Sequence, residues 1–212
     1  MVGFSVDDFV RDGSSVERKE IDNASRAKRK VYDYARCNEF DWFITLTFDP
    51  KIVNSFDYNE CATALREFTH HLQRKGCKWI IVPEQHKSGA YHFHGLVSGD
   101  LNVSLAFNPH TGKAITDNNG NPVYNLEKFR FGHTTATLIR DPARVATYIA
   151  EYMTKEIVVP KGRKRYWASR SLELPKEELL QMTTEEYGQI FNSARYQKHI
   201  PSIWGDCLLC ET

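Results

Sequence analysis

The strongest constraint on the fold is a period-two pattern in residues 42–48, WFITLTF. Every second residue from Trp42 to Phe48 is large and apolar, whereas Thr45 and Thr47 share the other face. Side chains alternate between the two faces of a β-strand, so this segment is predicted to be a strand with one face in a core. A chain built around such a strand needs partner strands to cover its backbone groups.

Those partners are predicted further along the chain. Residues 78–85 and 91–98 are two β-rich runs separated by a turn-forming segment around Gly89, which predicts a hairpin. Residues 134–139 form a further strand. The polar, Asn- and Gly-rich residues 99–130 between them are predicted to leave the core, with a small hairpin of their own.

Helices are predicted on either side of these strands. A capping-box spacing at Ser14 and Glu17 starts an amphipathic helix, and residues 57–75 repeat apolar side chains at helical spacing. Asp141 and Pro142 have the N-cap and first-turn preferences of a helix expected to run to about Lys155. A last helix is expected near 184–198.

This order of elements favours an α+β fold, an antiparallel sheet covered by helices. We expect an N-terminal helical segment over residues 1–38 that packs on the core, a main domain over 39–175 and a C-terminal helical tail over 176–212. The total of 212 residues suits one domain with an appendage.

Composition excludes several classes of protein. The chain lacks an apolar run long enough for a membrane span and lacks a signal peptide, so a cytoplasmic location is expected. Five scattered cysteines do not form a disulfide framework and are expected to be reduced. The net charge of +1 argues against nucleic-acid binding only if charge is evenly spread, and the basic residues instead gather at 26–30 and 161–170.

A candidate metal site lies on the predicted hairpin. His92 and His94 are two residues apart on one strand, so their imidazoles project from the same face. The partner strand offers a third ligand, and cross-strand parity selects Glu84 for an odd-numbered connection and Gln85 for an even one. Glu84 is preferred, Gln85 is second and His86 third. Two imidazoles and a carboxylate suit Mg²⁺ or Mn²⁺ acting on a phosphate.

A candidate nucleophile lies on the helix that begins at Pro142. Tyr148 and Tyr152 are one turn apart on one face, and Lys155 follows three residues later. The stripe of Val145, Ile149 and Met153 is separate, which leaves the phenols available to the site. A phenol becomes a useful nucleophile when a cation polarises the phosphate and a lysine stabilises the developing charge.

The segment after this helix is basic and aromatic, a combination that suits single-stranded nucleic acid. Thr45 and Thr47 are further candidates for contact with a strand backbone. The predicted DNA-binding residues of the segment are Arg163, Lys164, Arg165, Trp167 and Arg170.

Three segments in this order, WFITLTFDP, VPEQHKSGAYHFHGLV and YIAEYMTKE, resemble the motifs of rolling-circle replication initiators of the HUH endonuclease superfamily. The phage and plasmid branch is most similar, and the resemblance covers about residues 40–170. It implies a ferredoxin-like or RRM-like sheet with His92 and His94 on a central strand and with Glu84 completing the metal site. It also implies a tyrosine that attacks single-stranded origin DNA, leaving a 5′-phosphotyrosine and a free 3′-OH.

The sequence departs from this family at one position. Two-tyrosine members usually show Y-x-x-K-Y-x-x-K, whereas Glu151 stands here between the tyrosines, so only Tyr152 keeps its lysine, Lys155. Tyr152 is therefore preferred as the first nucleophile. Tyr148 is the second, or alternatively the true one.

The resemblance also bears on partners and on competing functions. The 212 residues contain no G-x-x-x-x-G-K-[ST], so a host helicase and polymerase are expected partners, in a bacterial host cell if a phage or plasmid encodes the protein. A plasmid relaxase or a small transposase would use the same chemistry. From another class, an RRM-like module without catalysis would bind nucleic acid through sheet aromatics and be indifferent to metal.

Overall fold

The computed structural model describes residues 23–152, 159–160, 162–176, 181, 183–194, 196–202 and 205–211. The predicted capping box at Ser14 and Glu17 lies outside these ranges, as do Met153 and Lys155. The chain forms two compact units, Met1–Pro175 and Lys176–Thr212.

The first unit is built on an antiparallel sheet of seven strands. In chain order its elements are α1 (23–37), β1 (Trp42–Phe48), α2 (Tyr58–Arg74), β2 (Trp79–Gln85), β3 (Tyr91–Val97), β4 (Val103–Leu105), β5 (Tyr124–Leu126), β6 (Gly132–Leu138), α3 (Pro142–Glu151) and β7 (Trp167–Ala168). The strand order across the sheet is β4-β5-β6-β1-β3-β2-β7. The predicted α+β class is confirmed.

Two of the predicted helix starts in this unit have a physical cap. The Asp57 side chain accepts hydrogen bonds from the backbone of Asn59 and Glu60 at the start of α2, and Asp141 accepts from Arg144 at the start of α3, with Pro142 in the first turn. Such caps satisfy backbone donors that the first helical turn leaves unpaired. The starts predicted at Asp57 and at Asp141–Pro142 are therefore confirmed.

The sheet separates two apolar layers. On one side, which we call the α2 face, the buried side chains of β1 and β3 pack against α2, with Ile44, Leu46, Phe93 and Leu65 at its centre. The other side, which we call the histidine face, is covered by α1 and α3. The alternation predicted for residues 42–48 is confirmed, because Ile44, Leu46 and Phe48 are buried on the α2 face.

The insertion differs in part from its prediction. Strands β4 and β5 form the expected small hairpin, but β5 also pairs with β6 at Tyr124 and Ala136. Leu126 and Phe129 are buried in the core of the α2 face. The segment therefore extends the sheet rather than leaving the core.

The second unit contains α4 (Thr184–Ser193), β8 (Tyr196–Ser202) and β9 (Gly205–Glu211), and β8 and β9 pair as an antiparallel hairpin. Thr183 caps α4 in a complete capping box with Glu186. The helix predicted over 184–198 was too long, because α4 ends at Ser193 and Lys198 lies in β8. The pairing of β8 with β9 satisfies backbone groups that a longer helix would have used.

Candidate functional site: a histidine and tyrosine cluster

The two histidines lie on β3, an interior strand held between β1 and β2. His94 is opposite Thr45 on β1 and opposite Val82 on β2, and His92 is opposite Thr47. Directly opposed residues share a face, so both imidazoles project from the histidine face as predicted. His94 is only 6% exposed.

Each imidazole is held by a threonine of β1. The Thr45 Oγ1 lies 3.1 Å from His94 Nδ1, and the Thr47 Oγ1 lies 3.2 Å from His92 Nδ1. When Nδ1–H donates to the hydroxyl oxygen, the tautomer is fixed and Nε2 carries its lone pair outward. The sequence analysis assigned these threonines to the backbone of a nucleic-acid strand, whereas the structure places both hydroxyls on the histidines.

Glu84 occupies the predicted position on β2. It lies directly opposite His92, which confirms the odd-numbered connection, and its Oε2 is 2.7 Å from His94 Nε2. The second choice, Gln85, lies opposite Tyr91, and its amide donates to the carbonyl oxygen of Gly89. Gln85 therefore belongs to the other face of the strand.

His86 lies beside the cluster. Its ring stacks on that of His92 with 5.6 Å between centroids. Burial lowers the pKa of His92 and His86 lowers it further, while Glu84 acts in the opposite direction. His92 is therefore held in the neutral form, the form that can donate a lone pair.

The donor atoms suit a divalent cation, but they are not set apart as a ready-made ligand shell. Among the described residues no group of three His, Cys, Asp or Glu side chains is arranged to hold a metal ion. The direct contact between His94 and Glu84 occupies two of the three expected donors. Two Nδ1-anchored imidazoles and a carboxylate nevertheless fit Mg²⁺ or Mn²⁺ chemically once that contact opens.

Both tyrosines reach the same cluster from α3. The Tyr152 ring stacks on the His94 ring with 3.9 Å between centroids and 19° between planes. The Tyr148 and Tyr152 hydroxyl oxygens are 2.6 Å apart, and Tyr148 also packs on Phe43. The predicted meeting of tyrosines with histidines is thus present in the structure.

The two phenols differ in environment. Tyr148 is 46% exposed, whereas Tyr152 is 6% exposed and packs in the core of the histidine face with Ile149. The expectation that neither phenol serves the core was therefore wrong for Tyr152, because its ring closes the same apolar layer as the fully buried Ile149. Burial raises the pKa of Tyr152, and its hydrogen bond with Tyr148 raises it further.

The predicted DNA-binding segment lies elsewhere. Trp167 stacks with Tyr58 and packs edge-on against Phe93, which places it on the α2 face. Arg163, Lys164 and Arg170 are exposed, and Arg165 is half-buried. Trp167 is therefore separated from the histidines by the sheet, and the structure does not bring it to them.

The sequence analysis did not connect several contributors to this site. Thr45 and Thr47 could have been paired with the histidines only from the β1–β3 register, which the sequence does not print. Phe43 stacks on His94 with 6.0 Å between centroids, and its place on the same strand face as the threonines was the available signal.

The fold and the cluster define an α+β protein that carries paired histidines on an interior strand, facing two tyrosines of a helix. The chain belongs to the ORF2 family of replication-associated proteins, whose pattern matches residues 41–157. The matched range begins just before β1 and includes all of the histidine and tyrosine residues above. Comparisons with curated proteins and with solved structures gave no match.

The family assigns the protein a role in replication and makes DNA its expected partner. Within the described part of the chain, no helix is both long and apolar enough to cross a membrane.

Proposed function

We propose that the protein is a rolling-circle replication initiator of the HUH endonuclease superfamily, which cuts and rejoins single-stranded origin DNA through a tyrosine. One observation carries the proposal: the Tyr152 ring stacks on His94 while its hydroxyl is hydrogen-bonded to Tyr148. A nucleophile and a candidate phosphate-polarising centre thus lie side by side.

The reaction is a transesterification. The phenol oxygen bonds to phosphorus, the bond from phosphorus to the 3′-oxygen breaks, and that oxygen takes up a proton to become a free 3′-OH. The Tyr152–Tyr148 hydrogen bond gives the departing phenol proton a defined path, because the exposed Tyr148 hydroxyl can pass a proton to water. The number of phosphate ester bonds is unchanged, so the same site can rejoin the strand.

The metal site would be formed by His92, His94 and Glu84, with Mg²⁺ or Mn²⁺ supplying Lewis-acid polarisation of the scissile phosphate. Thr45 and Thr47 orient the imidazoles through Nδ1. Tyr152 remains our choice of first nucleophile because it contacts His94 directly, with Tyr148 as the second. Lys155, outside the described residues, is proposed to stabilise the phenolate.

The test is covalent capture. The protein is incubated with Mn²⁺ and single-stranded oligonucleotides from candidate phage and plasmid origins, and adducts are resolved on a denaturing gel. We expect an adduct that disappears in a His92→Ala/His94→Ala variant and in Tyr152→Phe. Tyr187→Phe, which changes an exposed tyrosine of α4, is the matched control and should react like the wild type.

Two outcomes would contradict the proposal in different ways. An adduct at full rate in Tyr152→Phe that vanishes in Tyr148→Phe would reverse the assignment of the nucleophile. An adduct that survives removal of both histidines would exclude the metal-dependent mechanism. Binding without any adduct, unaffected by metal, would favour an RRM-like binding module.

The place of this reaction in replication is also a proposal. The free 3′-OH would prime a host polymerase, and a host helicase would supply the displaced strand. A plasmid relaxase or transposase would produce the same adduct. Cleavage of a replication origin rather than a transfer origin or transposon end, compared in the same gel assay, distinguishes them.

A further inference from the structure

A groove lies on the α2 face, between α2 and the segment 162–167. It has a volume of about 620 Å³, and Trp167 and Trp79 contribute to its wall. A neighbouring groove of about 460 Å³ continues it past Gln73 and Trp79 to Arg170. We call the two together the β7 groove. It is separated from the histidines by the sheet.

The charge of the β7 groove has one sign. Arg66 and His70 extend from α2, and Arg163 and Lys164 face them from the other wall. Among the described residues that line either part, none is acidic. All four are exposed. Acidic residues of the same helix, Glu60 and Glu67, line a different surface depression, so α2 is polarised by charge.

The groove also offers hydrogen-bond donors and an aromatic surface. Polar side chains of α2 follow one another at three- and four-residue spacing and form a stripe about 21 Å long on the helix. Its members are Asn59, Thr63, Arg66, His70 and Gln73. Trp167 is half-buried in the wall. The stripe spans several nucleotide steps.

A second observation points to a ligand. Trp79 lines both parts of the groove and is only 8% exposed, yet its indole Nε1–H has no hydrogen-bond partner among the described residues. A buried donor without a partner is costly, by about 1–3 kcal/mol, and a native structure usually satisfies it. A phosphate oxygen or base carbonyl entering the groove would be such a partner.

We propose that the β7 groove binds a second segment of the DNA strand, away from the phosphate that is cut. This inference rests on the proposed DNA substrate and extends it. Cations without neighbouring acids bind phosphates, and an aromatic wall accepts an unpaired base. A strand held there would stay attached to the protein while the histidine face cuts or rejoins it.

The test is the affinity of the whole chain for fluorescein-labelled dT30, measured by anisotropy over a range of NaCl concentrations. Arg66→Gln/Lys164→Gln removes two cations of the groove, and Lys128→Gln/Arg130→Gln removes an exposed pair elsewhere. We expect about a tenfold loss of affinity at about 0.1 M salt for the groove variant, with a log–log salt slope smaller by about 1.4. The control pair should retain more of the wild-type affinity. Equal affinities for the two double variants would overturn the proposal.

The same comparison in a His92→Ala/His94→Ala background separates this inference from the nicking mechanism. If the difference between the two double variants persists there, the groove binds DNA whatever the covalent-capture experiment shows. Photo-cross-linking with 5-iododeoxyuridine gives the location, and a cross-linked peptide that contains Trp167 is expected. Cross-links confined to peptides of β1, β3 and α3 would place all DNA on the histidine face and overturn the proposal.

Discussion

At the residue scale, the feature with the clearest consequence is the pair of threonine hydroxyls on the histidine rings. Thr45 and Thr47 contact Nδ1 of His94 and His92, so they set which nitrogen of each ring faces the expected metal. Partners of this kind typically change metal affinity by about 10–100-fold when removed.

Thr45→Val is therefore expected to weaken Mn²⁺ binding by about tenfold or more, because valine keeps the shape and loses the acceptor. Thr45→Ser keeps the hydroxyl and should restore most of the affinity. Isothermal titration with Mn²⁺ measures both without DNA or turnover. Equal affinities for the valine and serine variants would show that the hydroxyl does not orient His94.

A second residue-scale prediction concerns Cys61, which is fully buried in α2. Burial, with smaller effects from Asp57 and Glu60, raises the pKa of its thiol to about 12. The raised pKa favours the neutral thiol in the folded state. Its contribution to stability is complete below the unfolded pKa of about 8.5 and is lost as the pH rises towards the folded value.

Iodoacetamide at about pH 8.5, the ordinary thiol pKa, should therefore leave Cys61 unmodified in the native protein and alkylate it in urea, because the thiolate is the reactive form. Cys37, which is partly exposed, is the internal comparison and should react faster. Peptide mass spectrometry reads both sites. Equal native labelling of the two would contradict the buried position of Cys61.

Much of the site could be predicted at this scale. Alternation places His92 and His94 on one face whatever the partners are, and parity limits the third ligand to a choice that Glu84 fulfils. The contact between Glu84 and His94 could not be predicted, because it depends on side-chain conformations that span two strands. The burial of Tyr152 likewise depends on how α3 packs on the sheet.

At the element scale, the histidine face depends on the close approach of β6 to β1. Gly132 has φ +149° and lies opposite Phe48. A Cβ at this position would lie 2.2 Å from the Thr47 carbonyl oxygen and 2.5 Å from the Asp49 backbone nitrogen. These are main-chain atoms, so the strands must separate to accommodate it.

Gly132→Ala is expected to destabilise the protein by about 3 kcal/mol or more, since both backbone strain and the loss of strand pairing contribute. Gly120→Ala is the matched control. Its φ is +80° but nothing lies within 4 Å of an added Cβ, so only the conformational cost of about 1 kcal/mol is expected. Urea unfolding followed by tryptophan fluorescence compares the two. Similar losses would show that the close approach is not a constraint.

Elements differ in how well local pattern predicts them. Helix α2 has a capping aspartate and a regular apolar stripe, so its bounds follow from local chemistry. The end of α4 and the start of β8 do not, because the strand exists through its pairing with β9. The same holds for β5, whose junction with β6 is a long-range contact.

At the scale of the whole molecule, the net charge of +1 hides a division of charge between the two faces of the sheet. The sequence analysis expected the basic residues of 26–30 and 161–170 to gather beside the catalytic motifs. The structure instead puts α1 on the histidine face, where Arg29 pairs with Asp33, and puts Arg163 and Lys164 on the α2 face. Linear proximity to the tyrosine helix was a poor guide, because β7 joins the far edge of the sheet.

The boundary of the main domain also belongs to this scale. Asn38, just after α1, is 8% exposed, and its amide donates to the Glu173 carbonyl oxygen while its side-chain oxygen accepts from the Glu173 backbone N–H. Lys78 lies 3.7 Å from the Glu173 carboxylate and 3.3 Å from the Asn38 side-chain oxygen. Residue 173 thus fastens the end of the first unit to α1 and β2.

A chain that ends at Pro175 is expected to unfold cooperatively in urea with a stability close to that of the first unit in the whole protein, because it keeps this fastening. A chain that ends at Leu172 lacks it and leaves the buried Asn38 amide short of a partner, at a cost of about 1–3 kcal/mol. Tryptophan fluorescence and far-UV circular dichroism measure both transitions. Failure of the longer chain to fold would place the boundary beyond 175, and equal stability of the two would show that the Asn38–Glu173 contacts do not hold the unit together.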